Sequence, residues 1–351
     1  MRTVYIHIPF CNTICTYCDF PKVFKNIEWI DKYLNKLKEE IKENYQGEKI
    51  NTLYIGGGTP SALTIKQLKK LFEIIKIFNI NDNAEITLEA NSEDLTEDKL
   101  IFLSDKINRL SIGVQTFDKK ILKLMNRTVN ISNIKKAFKY FNNINIDLMY
   151  GFNEENINIL ENDLKKILEL KPSHISCYCL ILEPNTILYI KGYKQNNDDI
   201  LYEKLINKYL KDYNHYEISN YALKGYESKH NLTYWNNEEY YGFGMGASGY
   251  IKNKRYDNTH SINKYLKGDY KYITHYLDEK ETMQNEFILG FRKLKGINKE
   301  KFKEKYQKDI HDIDIINTLL KQNLLKENKN NIYINPKYIY VSNEILIKFL
   351  S

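Results

Sequence analysis

Tyr5-Ile-His-Ile-Pro-Phe-Cys11-Asn-Thr-Ile-Cys15-Thr-Tyr-Cys18 sets three thiols four and three residues apart, directly behind a run, Thr3 to Ile8, that reads as a β-strand. Three thiolates on one short loop can wrap three corners of an iron–sulfur cubane. The fourth iron then lacks a cysteine, and the amine and carboxylate of S-adenosylmethionine can chelate it. One electron passed into the bound sulfonium breaks its bond to the adenosyl carbon, giving methionine and a 5′-deoxyadenosyl radical. That chemistry belongs to the cofactor, and the protein supplies placement and dryness. Two plainer readings stand beside it: three unligated cysteines, or a zinc site that His7 or Asp19 completes. Structural zinc prefers four protein ligands, and the paired Cys-x-x-Cys motifs that usually supply them do not recur in this chain.

On either side of the loop the chain alternates. Up to about residue 182, β-rich runs at Thr3 to Ile8, Thr52 to Ile55, Glu85 to Glu89, Arg109 to Val114, Ile144 to Met149 and His174 to Leu182 are separated by helical stretches. In Glu28 to Glu43, Ile65 to Phe78 and Asn156 to Leu170 apolar residues recur every three or four positions. Such alternation predicts βα units around a parallel sheet. Six units fall two short of a closed eight-fold barrel. The expected fold is therefore α/β, a partial (β/α)6 barrel over residues 1–215 with its chemistry at the C-terminal ends of the strands. Beyond Pro184 the pattern changes to a helix near Asp199 to Tyr213, a connecting segment rich in Tyr and Gly over 216–280, and a Lys-rich helical tail over 281–351. Three helical segments between Glu281 and Gln322, then Asn331 to Ile334 and Tyr338 to Val341 as a hairpin about Asn335 and Pro336, predict a smaller α+β region ending in a winged-helix-like module. Such modules often bind DNA. Here the basic residues do not gather on one recognition helix, so a packing or lid role is expected and no nucleic-acid partner.

At 351 residues and 42% hydrophobic, the chain can bury a sizeable core. Its 29 Tyr and many Ile keep that core feasible at a mean hydropathy of -0.54, and exclude a disordered chain. A formal charge of +7 favours anionic partners only weakly, because it is the small difference between 52 basic and 45 acidic residues spread along the chain. Met1 to Pro9 lacks a basic region followed by a long apolar stretch, so no secretory signal is expected. No window approaches the length of about 18 uncharged apolar residues that spans a bilayer. A cytoplasmic protein is expected, where thiols stay reduced and a tight cysteine cluster more often means metal or catalysis than disulfides. Peripheral membrane contact and a homodimer stay open.

The second strand runs into Leu53-Tyr-Ile-Gly56-Gly57-Gly58-Thr59-Pro60-Ser61, where three glycines let backbone N–H groups approach a ligand with no side chain between. No Gly-Lys-Ser or Gly-Lys-Thr follows, so this is not a P-loop. Glu89, Gln115 and Asp147 close the apolar runs of three further strands. One polar residue at a strand end is an ordinary surface or cap residue; three aimed at one barrel mouth point to ligand contact. Arg127, twelve residues after Gln115, is either a bidentate carboxylate clamp or a solvated arginine at a helix end. Cys177 and Cys179 share a strand face with Ile175 and Ile181, as small core residues or as a second metal site.

Further stretches carry a family likeness: Ser111-Ile-Gly-Val-Gln115-Thr-Phe, Asn126-Arg127, Ile146-Asp147-Leu-Met-Tyr-Gly151, Glu183-Pro-Asn-Thr186, His230-Asn-Leu-Thr-Tyr-Trp235, Tyr241-Gly-Phe-Gly-Met-Gly246-Ala-Ser-Gly249 and Ser342-Asn-Glu344. With the cysteine loop and the glycine turn, they resemble the radical-SAM family of oxygen-independent coproporphyrinogen III oxidase over nearly the whole chain. The resemblance implies a [4Fe–4S] cluster on Cys11, Cys15 and Cys18. It implies an S-adenosyl-L-methionine met by Tyr5, Gly57, Gly58, Thr59 and Glu89, with the backbone near Tyr17 helping. Gln115, Arg127 and Asp147 match positions that in the oxidase meet a second adenosylmethionine. One departure matters: the oxidase pattern carries a further cysteine two residues after the third, where this sequence has Phe20. That argues against decarboxylation of coproporphyrinogen and leaves the oxidase as the alternative, so no catalytic residue is assigned. Relatives reading Cys-x-x-x-Cys-x-x-Cys-Asp-Phe, as Cys11 to Phe20 does, look like heme carriers. The resemblance thus implies heme as cargo, heme-accepting respiratory proteins as recipients, and an electron donor. The run from His230 to Trp235 is a mark of that branch. His230 offers an imidazole to heme iron while Tyr234 and Trp235 offer flat apolar surface for a porphyrin, or the same residues brace the second domain on the barrel; the residues alone leave both readings open. His7 reads as support for the cluster loop. Gly242, Gly244 and Gly246 imitate a dinucleotide fingerprint without a βαβ unit around them.

Overall fold

The computed structural model describes residues 2–196 and 199–350. Six strands, Arg2–Ile8 (β1), Ile50–Gly57 (β2), Ile80–Asn91 (β3), Arg109–Gln115 (β4), Ile144–Tyr150 (β5) and His174–Cys179 (β6), run parallel in chain order, each hydrogen-bonded to the next. This is the expected partial barrel. Successive residues on a strand point to opposite faces, and the two faces differ sharply here. Val4, Ile6 and Ile8, Leu110, Ile112 and Val114, and Ile144, Ile146 and Leu148 are fully buried in one apolar core. Helices Ile27–Asn44 (α1), Ile65–Ile75 (α2) and Ile157–Leu170 (α3) add Leu34, Leu37, Leu68, Leu71, Leu160 and Leu164 to that core. Each helix starts where a side chain accepts from its first-turn N–H groups: Asn26 from Trp29, Thr64 from Gln67, Asn156 from Asn158 and Ile159.

The opposite, inner face is polar. In register across the strands stand Tyr5, Tyr54, Thr87 and Arg109, then Glu89, Ser111, Asn145 and His174, then Gly113, Asp147 and Ser176. An apolar outer face against helices leaves this inner face to line a cavity.

The sheet is wider than six strands. Tyr240–Phe243 (β9) pairs in parallel with β1, and Ser248–Ile251 (β10), Lys254–Asn258 (β11) and Lys271–Tyr276 (β12) continue antiparallel beyond it. At the other edge Asn220–Ala222 (β8) pairs antiparallel with β6, followed by Asn214–Glu217 (β7). The stretch expected as a connection over 216–280 therefore supplies strands to both edges of the twelve-stranded sheet. The physical reason is that β1 and β6 would otherwise present unpaired backbone groups. Three or four residues per added strand is too short for a period to show.

From Glu279 the chain forms a second apolar core. Helices Glu279–Gly290 (α5), Lys299–Tyr306 (α6) and Asp314–Lys321 (α7) pack with a small sheet in which Asn331–Ile334 (β15) lies between Ile297–Asn298 (β13) and Leu325–Glu327 (β14). The expected hairpin partner of β15 is corrected. β14 pairs with it, and residues 336–341 form a 3-10 turn instead of a strand. Pro336 has no N–H to give a ladder but suits the first position of a turn, and the Asn335 side chain caps it by accepting from the Lys337 N–H. Among the described residues no helix is long and apolar enough to cross a membrane.

Candidate functional site

The three-cysteine loop leaves β1 at Ile8 and is tied down at several points. The Val23 N–H donates to the Pro9 carbonyl at 2.8 Å, Lys25 to Cys11 at 2.9 Å, and Thr16 to Met125 at 3.1 Å, and Asn126 Nδ2 donates to the Ile14 carbonyl at 3.0 Å. All three cysteines line one cavity of about 430 Å³, together with Tyr17, Gly57, Gly58, Thr59, Glu89, Gln115, Arg127 and Asp147. Eleven of the twelve residues expected at the cluster and at adenosylmethionine thus share one space. Tyr5 is set back behind it, its hydroxyl 3.0 Å from His7 Nδ1.

The donor set suits a cluster. Three thiols on one short loop can each meet a separate iron corner of a cubane. The Thr59 hydroxyl donates to Cys11 Sγ at 3.4 Å and Arg127 Nη1 to Cys15 Sγ at 3.6 Å, donors that would support the sulfurs as ligands. Burial pushes the Cys11 thiol up to about 11 against the Thr59 hydrogen bond, so it keeps its proton at neutral pH until a cation displaces it. His7 is not free to complete a zinc site: its Nε2 lies 2.7 Å from the Pro21 carbonyl, and its second nitrogen meets Tyr5. Burial drops His7 to about 4 despite that carbonyl. Gly57, at φ +114°, has room for no side chain, because a Cβ there would lie 2.6 Å from the His7 ring. Gly58 is equally closed, by the Pro9 carbonyl.

Glu89 accepts from the Tyr54 hydroxyl at 2.7 Å and the Gly57 N–H at 3.0 Å. Burial lifts it to about 7, opposed by Tyr54 and reinforced by the Asp147 charge. Arg127 is neither solvated nor free: its Nη2 donates to Asn91 Oδ1 at 2.9 Å and to the Gly113 carbonyl at 2.6 Å, bolting β3 and β4 to the loop. Asp147, raised by burial, accepts from Asn145 Nδ2 at 2.8 Å. Gln115 sits at φ 70°, in the left-handed region where a side chain is strained, and its buried Oε1 has no partner among the described residues. Arg109, which the sequence reading overlooked, is the one Lys or Arg on the inner face between β3 and β5 among the described residues; its buried Nε has no partner, and its charge lowers both Glu89 and Asp147. The overlooked signal is the polar alternation Arg109, Ser111, Gly113, Gln115. Strands of a parallel sheet buried on both faces read as continuous apolar runs, so this period marks a lined cavity.

A second cavity, about 550 Å³, adjoins the first and shares Phe20, Tyr54, Glu89, Tyr178 and Asn231 with it. Its far wall carries Tyr234 and Trp235, on or at the end of helix Lys229–Trp235 (α4), with Tyr240 and Tyr250. His230 is held on both sides: Nδ1 lies 2.9 Å from Thr52 Oγ1 and Nε2 2.8 Å from the Tyr234 hydroxyl. Burial holds it neutral, at about 3. Of the two readings left open for this run, the geometry matches bracing for His230, whereas Tyr234 and Trp235 do line a cavity. Gly246 packs against Pro21, so the glycine run clamps the cysteine loop. Cys177 lies in the outer apolar core.

A parallel sheet of six βα strands with a three-cysteine loop behind the first strand defines a radical-SAM protein, and residues 5–167 match the Radical SAM superfamily. The chain is 39% identical to the heme chaperone HemW of Lactococcus lactis subsp. lactis (strain IL1403), covering 99% of this chain and 97% of that one. It is 37% identical to the heme chaperone HemW of Bacillus subtilis (strain 168), over 100% and 99%. The chain belongs to the HemW family. Its fold is that of coproporphyrinogen III oxidase (HemN) from Escherichia coli, a radical SAM enzyme, with a TM-score of 0.86 over 99% of this chain and 90% of that chain at 21% identity.

Proposed function

We propose that this protein is a cytoplasmic heme chaperone with a radical-SAM core, which binds heme and passes it to heme-dependent respiratory proteins. The observation that carries the reading is the aromatic cavity of about 550 Å³, joined to the cysteine-lined one and walled by Tyr234, Trp235, Tyr240 and Tyr250. Near full-length similarity to HemW proteins supports it.

In this reading Cys11, Cys15 and Cys18 hold a [4Fe–4S] cluster, which when bound supplies a single electron at an iron that no cysteine ligates. Gly57, Gly58 and Thr59 cradle an adenosylmethionine beside it, and Tyr17 closes the loop side. Glu89, poised near neutrality, would take its ammonium. Tyr5 acts through His7 to hold the loop. Arg109, Gln115, Arg127 and Asp147 form the deep polar floor, where Gln115 Oε1 waits for a donor. His230 is assigned to bracing the aromatic wall, and residues 281–351 to packing behind it. An electron donor, a homodimer and peripheral membrane contact belong to the same reading, to be checked by cluster reduction, gel filtration and vesicle sedimentation.

The test is anaerobic purification, cluster reconstitution and addition of hemin, with the absorption spectrum recorded beside a coproporphyrinogen III turnover assay. A saturable Soret band without decarboxylation is expected. Decarboxylation without a stable heme complex would make the protein an oxidase, and Phe20 a misleading sign.

A further inference from the structure

Among the described residues lining the aromatic cavity, Arg255 is the one Lys or Arg. It stands on β11 directly across from Tyr250 of β10, with its guanidinium 5.4 Å from the centre of the Tyr250 ring. Among the described residues its Nε, shut off from solvent, has no hydrogen-bond partner, and Arg255 forms no ion pair. The neighbouring carboxylates are committed elsewhere. Glu89 is held by Tyr54 and Gly57, Glu238 accepts from Asn236 at 3.1 Å, and Asp257, two residues along the same strand, is bonded by Ser248. A second donor in this cavity is also unused: the Trp235 indole N–H is buried with no partner among the described residues, its ring under the Arg292 guanidinium at 4.6 Å. Both histidines of the cavity have each ring nitrogen engaged by the protein.

Buried donors are nearly always satisfied, and a guanidinium fork matches a carboxylate with two parallel bonds. Two orphan donors in a cavity lined by six tyrosines, whose two carboxylates, Glu89 and Glu238, are already engaged, ask for a ligand that is flat, aromatic and carboxylate-bearing. We propose that the cavity anchors its ligand by a carboxylate on Arg255, with the Trp235 N–H as a second donor, so that a porphyrin enters with a propionate toward β11 and its ring against Tyr234 and Tyr250. This rests on the heme reading and deepens it: Arg255 sets the orientation and selects free acids over esters.

The experiment compares iron protoporphyrin IX with its dimethyl ester on the full-length, cluster-reconstituted protein, by anaerobic Soret titration of the wild type, Arg255→Gln and Arg255→Lys. The glutamine variant should bind the free acid on the order of ten- to a hundred-fold more weakly, the loss expected when a charged hydrogen bond is removed, and the ester as well as the wild type does. The lysine variant should recover part of the free-acid loss. Unchanged free-acid binding by Arg255→Gln would overturn the assignment. So would equal weakening of acid and ester, which would mean that the substitution had merely damaged the cavity. Wild-type protein that bound neither porphyrin would overturn the heme reading itself, a result distinct from either.

Discussion

Glu89 shows how far a single residue's surroundings set its chemistry. Its ordinary value of 4.5 rises to about 7 in the folded chain, because burial penalises the carboxylate more than Tyr54 and Gly57 relieve it. An acid raised on folding holds its proton more tightly in the native state. This group therefore costs nothing below about pH 4.5, and weakens the fold progressively as pH climbs to about 7, by at most about 3 kcal/mol. Urea denaturation of the apoprotein between pH 5 and 8 should show that loss in the wild type and lack it in Glu89→Gln, while the same variant binds adenosylmethionine more weakly at every pH. Cys15→Ser should lose its iron and its cluster absorption after reconstitution yet keep its affinity for hemin, because the thiol lines the first cavity and not the second; loss of both would mean that the cavities do not act separately. The thiols, Glu89, Gln115 and Asp147 were legible because loops and strand ends are where a sequence displays chemistry. Arg109 was not, since an arginine at the first position of a strand is ordinarily a surface residue, and only the register that puts it opposite Thr87 turns it inward.

Among the elements, α3 is where packing and site meet. Its buried Asp163 accepts from the Thr116 hydroxyl at 2.5 Å and the Phe117 N–H at 2.9 Å, which pins the turn directly after the strained Gln115. Asp163→Ala should lower stability by about 2 kcal/mol, the usual cost of stranding buried donors, and weaken adenosylmethionine binding as Gln115 loosens. Urea midpoints and ligand titration check the two effects. At the C-terminal end of the same helix Lys171 adopts the left-handed conformation, φ 54°. Lys171→Gly should therefore stabilise the protein by roughly 0.5–1 kcal/mol. Helix positions were readable from apolar spacing. The C-terminal hairpin was misplaced because Tyr338 to Val341 has strand composition, while the Pro336 turn and the Asn335 cap, which act over a few atoms, decide for a 3-10 turn.

In the whole molecule the two largest apolar cores share one chain. Phe291, fully buried, lies 6.1 Å from Phe287 and 5.5 Å from Phe349 between ring centres, and its neighbour Arg292 covers Trp235. Phe291→Ala should cost about 3–5 kcal/mol and weaken hemin binding by loosening that wall, measured by calorimetry and Soret titration. The barrel was legible because its strands alternate with helices. The outer strands were hidden, because a parallel partner for β1 lies far along the chain and nothing local announces it. That pairing of β1 with β9 joins Thr3 to Tyr240. A ribosome adding about 5–20 residues per second takes on the order of tens of seconds to cover that span. For that interval Cys11, Cys15 and Cys18 hang on a nascent chain whose clamp at Gly246 has not been made, open to oxidation. If these thiols hold a cluster as proposed, the topology asks the cell to deliver iron only after residue 246 of the 351 has been made.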